Sequence, residues 1–360
     1  MKSRTLFLST VNFAFNQYLK EIIIGISKTD NVYLVSNFKH SNHESFPDIK
    51  EKHIEFKRSA NILFFLINYL KLGWYIRDIK PHVVYTISPI AGLLYSLIPL
   101  NNSIHVHFFT GQVWYNKKGL KRILLRSFDR LIGRSCSYGL IDSPSQKEFL
   151  IKNSIISEAK SIVLGSGSIR GNKVYSFQSI KKAKKKKQIL FVGRINFEKG
   201  VGMIRDFILK NKAILEESNY NIIFAGAVED QKCINGLENL SFIQFLGHVD
   251  DINQYYAESN ILILPSEREG FGSVVVEAGI FFVPAVLTNI VGLIDAGSRA
   301  SSLFVEPNNY IEFEQALLKL IKNPKLIDAM GQNAHKHSMK FYTDHCTERY
   351  LKFHQNLTRI

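Results

Sequence analysis

Short apolar runs alternate with amphipathic segments along most of this 360-residue chain. The run at 4–9 has the length of a buried strand, residues 16–27 carry apolar side chains at helical spacing, and 31–36 is apolar again. This order of strand, helix and strand predicts a Rossmann-like half with a parallel sheet. A second half begins with the strand predicted at 188–192. The pattern therefore predicts an α/β protein with two domains.

The segment between the two halves has a different composition. Residues 165–187 contain glycines and serines and end in the run KKAKKKK. Such a run of like charges is more often a solvated loop than a binding site. We therefore predict a basic linker at 169–187 between domains at 1–168 and 188–342. The chain is long enough for two domains of about 150 residues each.

The chain carries a strong excess of positive charge. It has 46 Lys and Arg against 31 Asp and Glu, a formal net charge of +15. This excess predicts an acidic partner, namely nucleic acid, anionic lipid or a phosphorylated substrate. Cys136, Cys233 and Cys346 are far apart in sequence, which argues against a zinc or redox site. We find no signal peptide and no run of about 18 apolar residues, so we expect a cytosolic protein that touches a membrane without crossing it.

Residues 115–135 combine basic side chains with an apolar stripe at helical spacing. The stripe consists of Leu120, Ile123, Leu124, Phe128 and Leu131. We expect this stripe to pack mostly on the sheet. Seven lysines and arginines share the segment. Their face suits either a solvated surface or contact with anionic phospholipid or a lipid-pyrophosphate acceptor, and the sequence does not decide between the two.

A strand, loop and helix at 261–282 carry two carboxylates at the end of a predicted parallel strand. Glu269 precedes the helix and Glu277 lies about two turns inside it, which predicts about 12 Å of helical rise between them. This separation is too large for the paired carboxylates of a glycosidase and suits the two ends of an extended ligand. Gly270 and Gly272 allow the backbone to approach that ligand, and Ser273 can cap the helix.

The loop after strand 188–192 carries two cations, Arg194 and Lys199, in the segment VGRINFEKG. A planar guanidinium and a mobile ammonium at one strand end can neutralise a nucleoside diphosphate. The alternative is a structural ion pair at the strand end, for example with Glu198. The later pair of Glu269 and Glu277 favours the phosphate-binding interpretation, because its distance from Arg194 and Lys199 resembles that in a known enzyme family.

Three segments together resemble retaining, nucleotide-sugar-dependent glycosyltransferases of family 4, which have the GT-B fold. Residues 269–278 are similar to the family's E-x7-E signature in the form E-G-F-G-x4-E-A, and 193–200 resemble its G-R-x4-K-G element. Residues 105–114, HVHFFTGQVW, resemble an element of capsule and O-antigen transferases in that family. The resemblance implies two Rossmann-like domains facing a cleft, with a C-terminal helix at 343–360 that returns to the first domain.

The resemblance also implies roles for individual residues. The implied catalytic residues are Arg194, Lys199, Glu269 and His107. The implied donor-binding residues are Glu277, Gly193, Gly270, Phe271, Gly272, Ser273, Val249 and Gly226. The cations would stabilise the departing diphosphate, so that no metal or cofactor is expected. By position alone, His107 could instead be a buried strand histidine.

The implied reaction moves a sugar from a nucleotide-sugar donor, of the UDP-hexose or UDP-N-acetylhexosamine kind, to a lipid-pyrophosphate-linked glycan. This places the protein at the inner face of an anionic membrane, with no nucleic acid as partner. Two departures stand out: the first loop, 10–14, lacks the family's glycine pair, and only Gly292 stands where a later pair is usual. The alternatives are a basic nucleic-acid-binding protein and a GT-B-fold epimerase or phosphorylase.

Overall fold

The computed structural model describes residues 2–38, 46, 49–56, 62–99, 102–168 and 186–358. The chain forms two compact units. Unit 1 comprises Met1–Gly171 and Thr343–Ile360, and unit 2 comprises Asn172–Tyr342. The predicted linker lies almost wholly outside the described residues, and so does most of its lysine run, so its bounds stay a prediction.

Unit 1 is built on a seven-stranded parallel sheet in the order β3-β2-β1-β4-β5-β6-β7. Its strands are β1 (Arg4–Ser9), β2 (Asn31–Ser36), β3 (Lys50–His53), β4 (Val83–Ile87), β5 (Ile104–Phe109), β6 (Tyr138–Ile141) and β7 (Ser161–Ile162). Its α-helices are α1 (Lys20–Ser27), α2 (Ile62–Ile79), α3 (Pro89–Leu97), α4 (Gly119–Ser135), α5 (Pro144–Lys152) and α13 (Thr343–Thr358). The sequence did not predict β3, because KEKH is polar; charged residues of this kind are typical of an edge strand.

The helices of unit 1 cover both faces of this sheet. Phe7 and Tyr85 point to one face, where they pack with α1 and α13. Leu6 and Leu8 point to the other face, where they pack with α2 and α3. Helix α4 lies on that second face beside α3, since Ile132 packs near Leu93 and Gly92. This alternation follows from the period of two along a strand.

A buried polar network attaches the C-terminal helix α13 to the sheet of unit 1. The Tyr85 hydroxyl lies 3.0 Å from Nδ1 of His354, whose Nε2 lies 3.1 Å from Oδ2 of Asp30. Thr5 Oγ1 donates to the same carboxylate oxygen at 2.6 Å. Each of these groups is buried. Burial tends to raise the pKa of Asp30, but the hydrogen bonds with His354 and Thr5 together lower it by more. The pKa of Asp30 therefore lies below its usual value.

Unit 2 has a six-stranded parallel sheet in the order β10-β9-β8-β11-β12-β13. Its strands are β8 (Gln188–Val192), β9 (Asn221–Ala225), β10 (Ile243–Gly247), β11 (Ile261–Leu264), β12 (Ala285–Thr288) and β13 (Ser302–Val305). Its α-helices are α6 (Val201–Lys210), α7 (Lys212–Glu217), α8 (Asn253–Glu258), α9 (Ser273–Ile280), α10 (Leu293–Ala296), α11 (Tyr310–Ile321) and α12 (Pro324–Ser338). The order of strands reverses between β8 and β11, which makes their carboxyl ends the topological switch point.

The expected burial of the apolar stripe on α4 is wrong. Leu120, Ile123 and Leu124 are 85%, 62% and 55% exposed. The helix instead turns Ile132 and Gly133 toward the interior of unit 1. A Cβ at Gly133 would lie 2.1 Å from the Ile155 carbonyl oxygen. This close approach sets the rotation of α4 and leaves the stripe on the outer side.

Candidate functional site

The loops after β8 and β11 touch each other at the switch point of unit 2. The backbone N–H of Glu267 donates to the carbonyl of Glu198 at 2.9 Å. Gly200 has a φ of +75°, and a Cβ there would lie 2.0 Å from the Pro265 carbonyl oxygen. Only glycine fits this position. Because β8 and β11 are parallel neighbours, their loops bring the predicted residues to one edge of the sheet.

Two predicted catalytic residues, Lys199 and Glu269, form an ion pair between these loops. Lys199 Nζ lies 2.6 Å from Glu269 Oε1, which also accepts a hydrogen bond from Ser266 Oγ at 2.9 Å. The Lys199 and Glu269 side chains are 17% and 11% exposed. A largely buried pair at a strand end can exchange one partner for a ligand group of the same charge.

The third predicted residue, Arg194, binds a different carboxylate, that of Glu229. Its Nη1 donates to both oxygens of Glu229, at 3.2 and 3.1 Å, and Asn196 Nδ2 donates to Glu229 Oε2 at 2.7 Å. Hydrogen bonds from Asn196 and Arg194 lower the pKa of Glu229. Glu198, the partner considered from the sequence, lies farther away at 3.8 Å and binds Arg268 at 2.7 Å. Three cations thus face three carboxylates around these loops.

Helix α9 begins differently from the expectation. Gly272, with a φ of +81°, is the N-cap, and no side chain caps the helix, so the capping role expected for Ser273 is wrong. Glu277 is the fifth helical residue, one turn inside α9 instead of two. The estimate of about 12 Å by helical rise therefore does not hold, because the residues before Ser273 are not helical.

A residue that sequence reasoning missed, Tyr256, holds Glu277. The Tyr256 hydroxyl donates to Glu277 Oε2 at 2.9 Å, and the Tyr256 ring is fully buried and stacked on Phe281. No spacing in the sequence joins α8 to α9. Phe271, predicted at the donor site, packs its ring 5.1 Å from that of Phe341 in the core, so a contact with a donor would use its backbone.

Glycines bring backbones together around the same edge. A Cβ at Gly226, where φ is +149°, would lie 1.9 Å from the carbonyl oxygen of Gly193. Gly292, where the family's glycine pair is incomplete, takes a φ of +89°, and a Cβ there would lie 2.3 Å from the Gly270 carbonyl. Val249 lies in the turn after the edge strand β10 and is half-buried. These positions are consistent with backbone contacts to a ligand, which stay a prediction.

In unit 1, His107 is a buried residue of β5 that bonds to a side chain. Thr86 Oγ1 lies 2.7 Å from Nδ1 of His107 and 2.8 Å from Nε2 of His105. Burial lowers the pKa of His107 well below its usual value, and the neighbouring His105 adds to the effect. The imidazole is therefore neutral and held inside the unit. Its predicted contact with the donor or acceptor stays a prediction.

The other polar residues of the HVHFFTGQVW element also bond inward. Gln146 Nε2 donates to Oε1 of Gln112 at 3.2 Å, and Trp114 Nε1 donates to Asp129 Oδ2 at 2.7 Å. The element thus joins β5 to α4 and α5. Asp142, at the end of β6, is buried, and burial raises its pKa to about 7.

Ser88 lies at the switch point of unit 1, between β1 and β4. Its φ of +83° and ψ of +146° belong to a region that glycine normally occupies. Its Oγ accepts from Thr10 Oγ1 of the glycine-free first loop at 3.1 Å. Backbone strain at a strand end suggests a functional position that a sequence pattern does not reveal.

Among the described residues, no three His, Cys, Asp or Glu side chains are grouped to hold a metal ion. No helix in the described part of the chain is both long and apolar enough to cross a membrane. The expectation of a reaction without metal or cofactor stays a prediction.

Comparison with known proteins adds to this geometry. Residues 173–337 match the family described as glycosyl transferases group 1. The capsular polysaccharide biosynthesis glycosyltransferase CapM of Staphylococcus aureus is 28% identical over 79% of this chain and 78% of its own length. An N,N'-diacetylbacillosaminyl-diphospho-undecaprenol alpha-1,3-N-acetylgalactosaminyltransferase of Campylobacter jejuni is 25% identical over 68% of this chain and 66% of its own.

Solved structures share the fold. The sucrose-phosphate synthase of Thermosynechococcus elongatus superposes with a TM-score of 0.81 and 14% identity over 99% of both chains. The Anabaena HepE protein in complex with UDP and glucose gives a TM-score of 0.76 with 16% identity, again over 99% of both chains. The two parallel sheets and these likenesses establish the predicted GT-B fold. With the matching family domain and the related transferases, the chain is a glycosyltransferase.

Proposed function

We propose that this chain transfers a sugar, with retention of configuration, from a nucleotide-sugar donor to a lipid-linked glycan in surface polysaccharide synthesis. The observation that carries the proposal is the group of Arg194, Lys199 and Glu269 at the switch point of unit 2, the unit that contains the whole of the matching family domain. A switch point is where parallel sheets bind ligands. The name of the capsular polysaccharide relative supports the pathway, and the name of the relative that acts on a diphospho-undecaprenol-linked sugar supports the kind of acceptor.

The site residues divide the work by charge. Lys199 and Arg194 would leave their carboxylates and bind the donor diphosphate, and they would stabilise its growing charge as the sugar departs. Glu269, released from Lys199, would accept hydrogen bonds from the sugar hydroxyls beside the Gly270–Gly272 backbone. Glu277, held by Tyr256, would accept from the ribose hydroxyls. This division requires no metal ion or cofactor.

The acceptor side of the proposal concerns unit 1. The basic helix α4 would bring the protein to the inner face of an anionic membrane, where a lipid-pyrophosphate-linked glycan resides. A donor of the UDP-hexose or UDP-N-acetylhexosamine kind follows from the family resemblance. Nucleic acid is not among the proposed partners, because the basic residues are spread over several elements.

A thermal-shift screen tests the donor side directly. Purified protein is mixed with UDP, GDP, ADP and their common sugar conjugates. A ligand at 100 times its dissociation constant stabilises the fold by about 2.7 kcal/mol, so one nucleotide family should raise the unfolding temperature. The shift should be lost in Arg194→Ala and kept in Lys210→Ala, which breaks a surface ion pair with Glu314 in the same unit.

Two outcomes would contradict the proposal. One is the absence of a shift with every nucleotide and conjugate. The other is a shift that survives in both Arg194→Ala and Lys199→Ala. Product analysis without an acceptor separates transfer from the epimerase or phosphorylase alternative, since a transferase then leaves the donor intact, whereas an epimerase converts its sugar and a phosphorylase releases a sugar phosphate.

A further inference from the structure

Helix α2 is apolar on two opposite sides. One side places Leu72 and Ile76 in the core of unit 1. The other side exposes Leu66, Ile67, Leu70 and Trp74, with Trp74 exposed by 77%. Positions 66, 70 and 74 follow one another at a spacing of four and form a stripe along the helix. A surface helix normally carries polar residues on that side, so this stripe requires its own explanation.

The stripe of α2 belongs to the same helical layer as the exposed stripe of α4. Helices α2, α3 and α4 lie on one face of the seven-stranded sheet. The Tyr69 hydroxyl of α2 donates to the Leu97 carbonyl of α3, at 2.8 Å. A Cβ at Gly92 of α3 would lie 3.1 Å from the Ile132 side chain of α4, so these helices are in close contact. The layer therefore presents two apolar stripes on one side of unit 1.

Basic side chains accompany both stripes. Lys71, Arg77 and Lys80 are exposed on or just after α2, beside the acidic Asp78. The segment from 117 to 135 carries seven lysines and arginines, and its acidic residue Asp129 is buried against Trp114. The surface thus combines exposed aliphatic and aromatic side chains with a positive surround.

We propose that this helical layer docks on an anionic membrane, with the α2 stripe entering the boundary between headgroups and acyl chains. An apolar stripe with Trp and Leu suits that boundary, and flanking Lys and Arg suit lipid phosphates. Nucleic acid would engage the charges but would leave the aliphatic stripe in water. The inference extends the membrane contact proposed for α4 to a second helix, and vesicle binding is measurable without any sugar transfer.

The chain contains its own reporter for this docking. It has two tryptophans: Trp74 is 77% exposed, and Trp114 is 1% exposed. Phosphatidylcholine vesicles with phosphatidylglycerol should shift the emission of the full-length protein to shorter wavelength. Brominated phosphatidylcholine should quench the shifted emission, and acrylamide should quench it less than in the free protein. Trp74→Phe should abolish the response, since Trp114 stays buried.

Two matched pairs of variants separate insertion from attraction. Leu70→Ser with Trp74→Ser should weaken vesicle partition about tenfold or more, because it removes about two buried apolar side chains from the lipid. Ile311→Ser, at a 64% exposed position of α11 in unit 2, should have no effect. Lys71→Glu with Arg77→Glu should weaken binding to phosphatidylglycerol vesicles more than Lys325→Glu with Lys336→Glu on α12.

Three results would overturn the inference. In the first, the protein fails to bind the anionic vesicles. In the second, it binds while Trp74 keeps the emission and acrylamide quenching of the free protein. In the third, a second copy of the chain covers the stripe. The last case would appear as self-association in light scattering that Leu70→Ser with Trp74→Ser abolishes. The fluorescence of the unmodified protein needs no variant, so a folding defect in a variant does not decide the outcome.

Discussion

The two units end their strands in different ways. In unit 2, Lys199 and Glu269 pair across the switch point while Arg194 holds Glu229 at the surface. In unit 1, the polar residues of the motif bond inward: His107 bonds to Thr86, and Gln112 to Gln146. Both arrangements satisfy charged or polar groups. Only the first leaves them where a ligand can replace a partner.

This difference predicts where the effect of a mutation will appear. Removing one partner of a buried hydrogen bond leaves the other polar group buried and unsatisfied, which lowers the free energy of unfolding. The exposed ion pair of Arg194 with Glu229 contributes little to stability, so its loss should appear mainly in binding and turnover. Changes in unit 1 should therefore alter unfolding, a change at Arg194 should alter catalysis alone, and a change in the largely buried pair of Lys199 with Glu269 should alter both.

The largest effect is expected at Asp142 of unit 1. Burial raises its pKa from the ordinary carboxyl value to about 7. The folded state thus favours the protonated acid. The contribution of Asp142 to the free energy of unfolding is complete below the unfolded pKa and is lost as pH rises through about 7. This rise in pKa corresponds to a loss of at most about 4 kcal/mol of stability between the unfolded pKa and about pH 7.

Asp142→Asn should remove this loss. Urea unfolding at several pH values should show the variant losing less stability than the unmodified protein between mildly acid and mildly alkaline pH. Asp328→Asn, at an exposed position of α12, is the control. Parallel pH profiles for Asp142→Asn and the unmodified protein would mean that Asp142 is ionised inside the fold.

The next effect concerns turnover in unit 2. Lys199→Ala or Arg194→Ala should lower turnover by about 100-fold or more, by analogy with the loss of one oxyanion donor. Unfolding should change little for Arg194→Ala, because its side chain is 53% exposed. Steady-state assays with the donor identified by thermal shift give the measurement, and Lys210→Ala is the control. Near-normal turnover in both variants would remove these residues from the mechanism.

The sequence was informative about unit 2 because its chemistry is local. Arg194 and Lys199 follow one strand, Glu269 follows another, and parallel neighbours bring such loops to the same edge. The pairing of Lys199 with Glu269 follows from that topology. Tyr256 could not be found in this way, because its bond to Glu277 joins two helices whose rotations depend on packing.

Unit 1 shows the opposite limit. The strand pattern predicted most of its sheet, since apolar runs of this length are typical of parallel strands. The predicted burial of the α4 stripe was wrong, because the contact at Gly133 fixes the rotation of the helix and periodicity alone does not reveal that contact. Ser88 was missed because its positive φ depends on the geometry at the end of β4. Close packing decided both features.

A smaller effect tests Tyr256 as a positioning residue. Tyr256→Phe removes one hydrogen bond to a carboxylate, and a bond of this kind is worth about 1.5 kcal/mol, or about tenfold. We expect the apparent dissociation constant of the donor to rise about tenfold with turnover nearly unchanged. Glu277→Ala should raise this dissociation constant further. Tyr255→Phe, on the same helix, is the control. A fall in turnover without a change in donor binding would contradict this role.

The smallest effect has the opposite sign. Glu229 pairs with Arg194 and adds a negative charge near the proposed diphosphate site. Glu229→Gln keeps an oxygen that can accept from Asn196 but releases the charge. Donor binding should therefore tighten about two- to fivefold, the range of an exposed ion pair. The gain should shrink as salt is added, because salt screens exposed charges.

A matched control makes this last test specific. Glu238→Gln removes an exposed carboxylate of the same unit that bonds Gln231 and the Gly236 backbone, so both variants change the net charge equally. Equal tightening in the two variants would mean that only the overall charge matters. Weaker binding in Glu229→Gln alone would mean that Glu229 holds Arg194 in the orientation that receives the donor. In that case the carboxylate would be part of the site's support, and the switch point of unit 2 would resemble unit 1 more than its exposed ion pairs suggest.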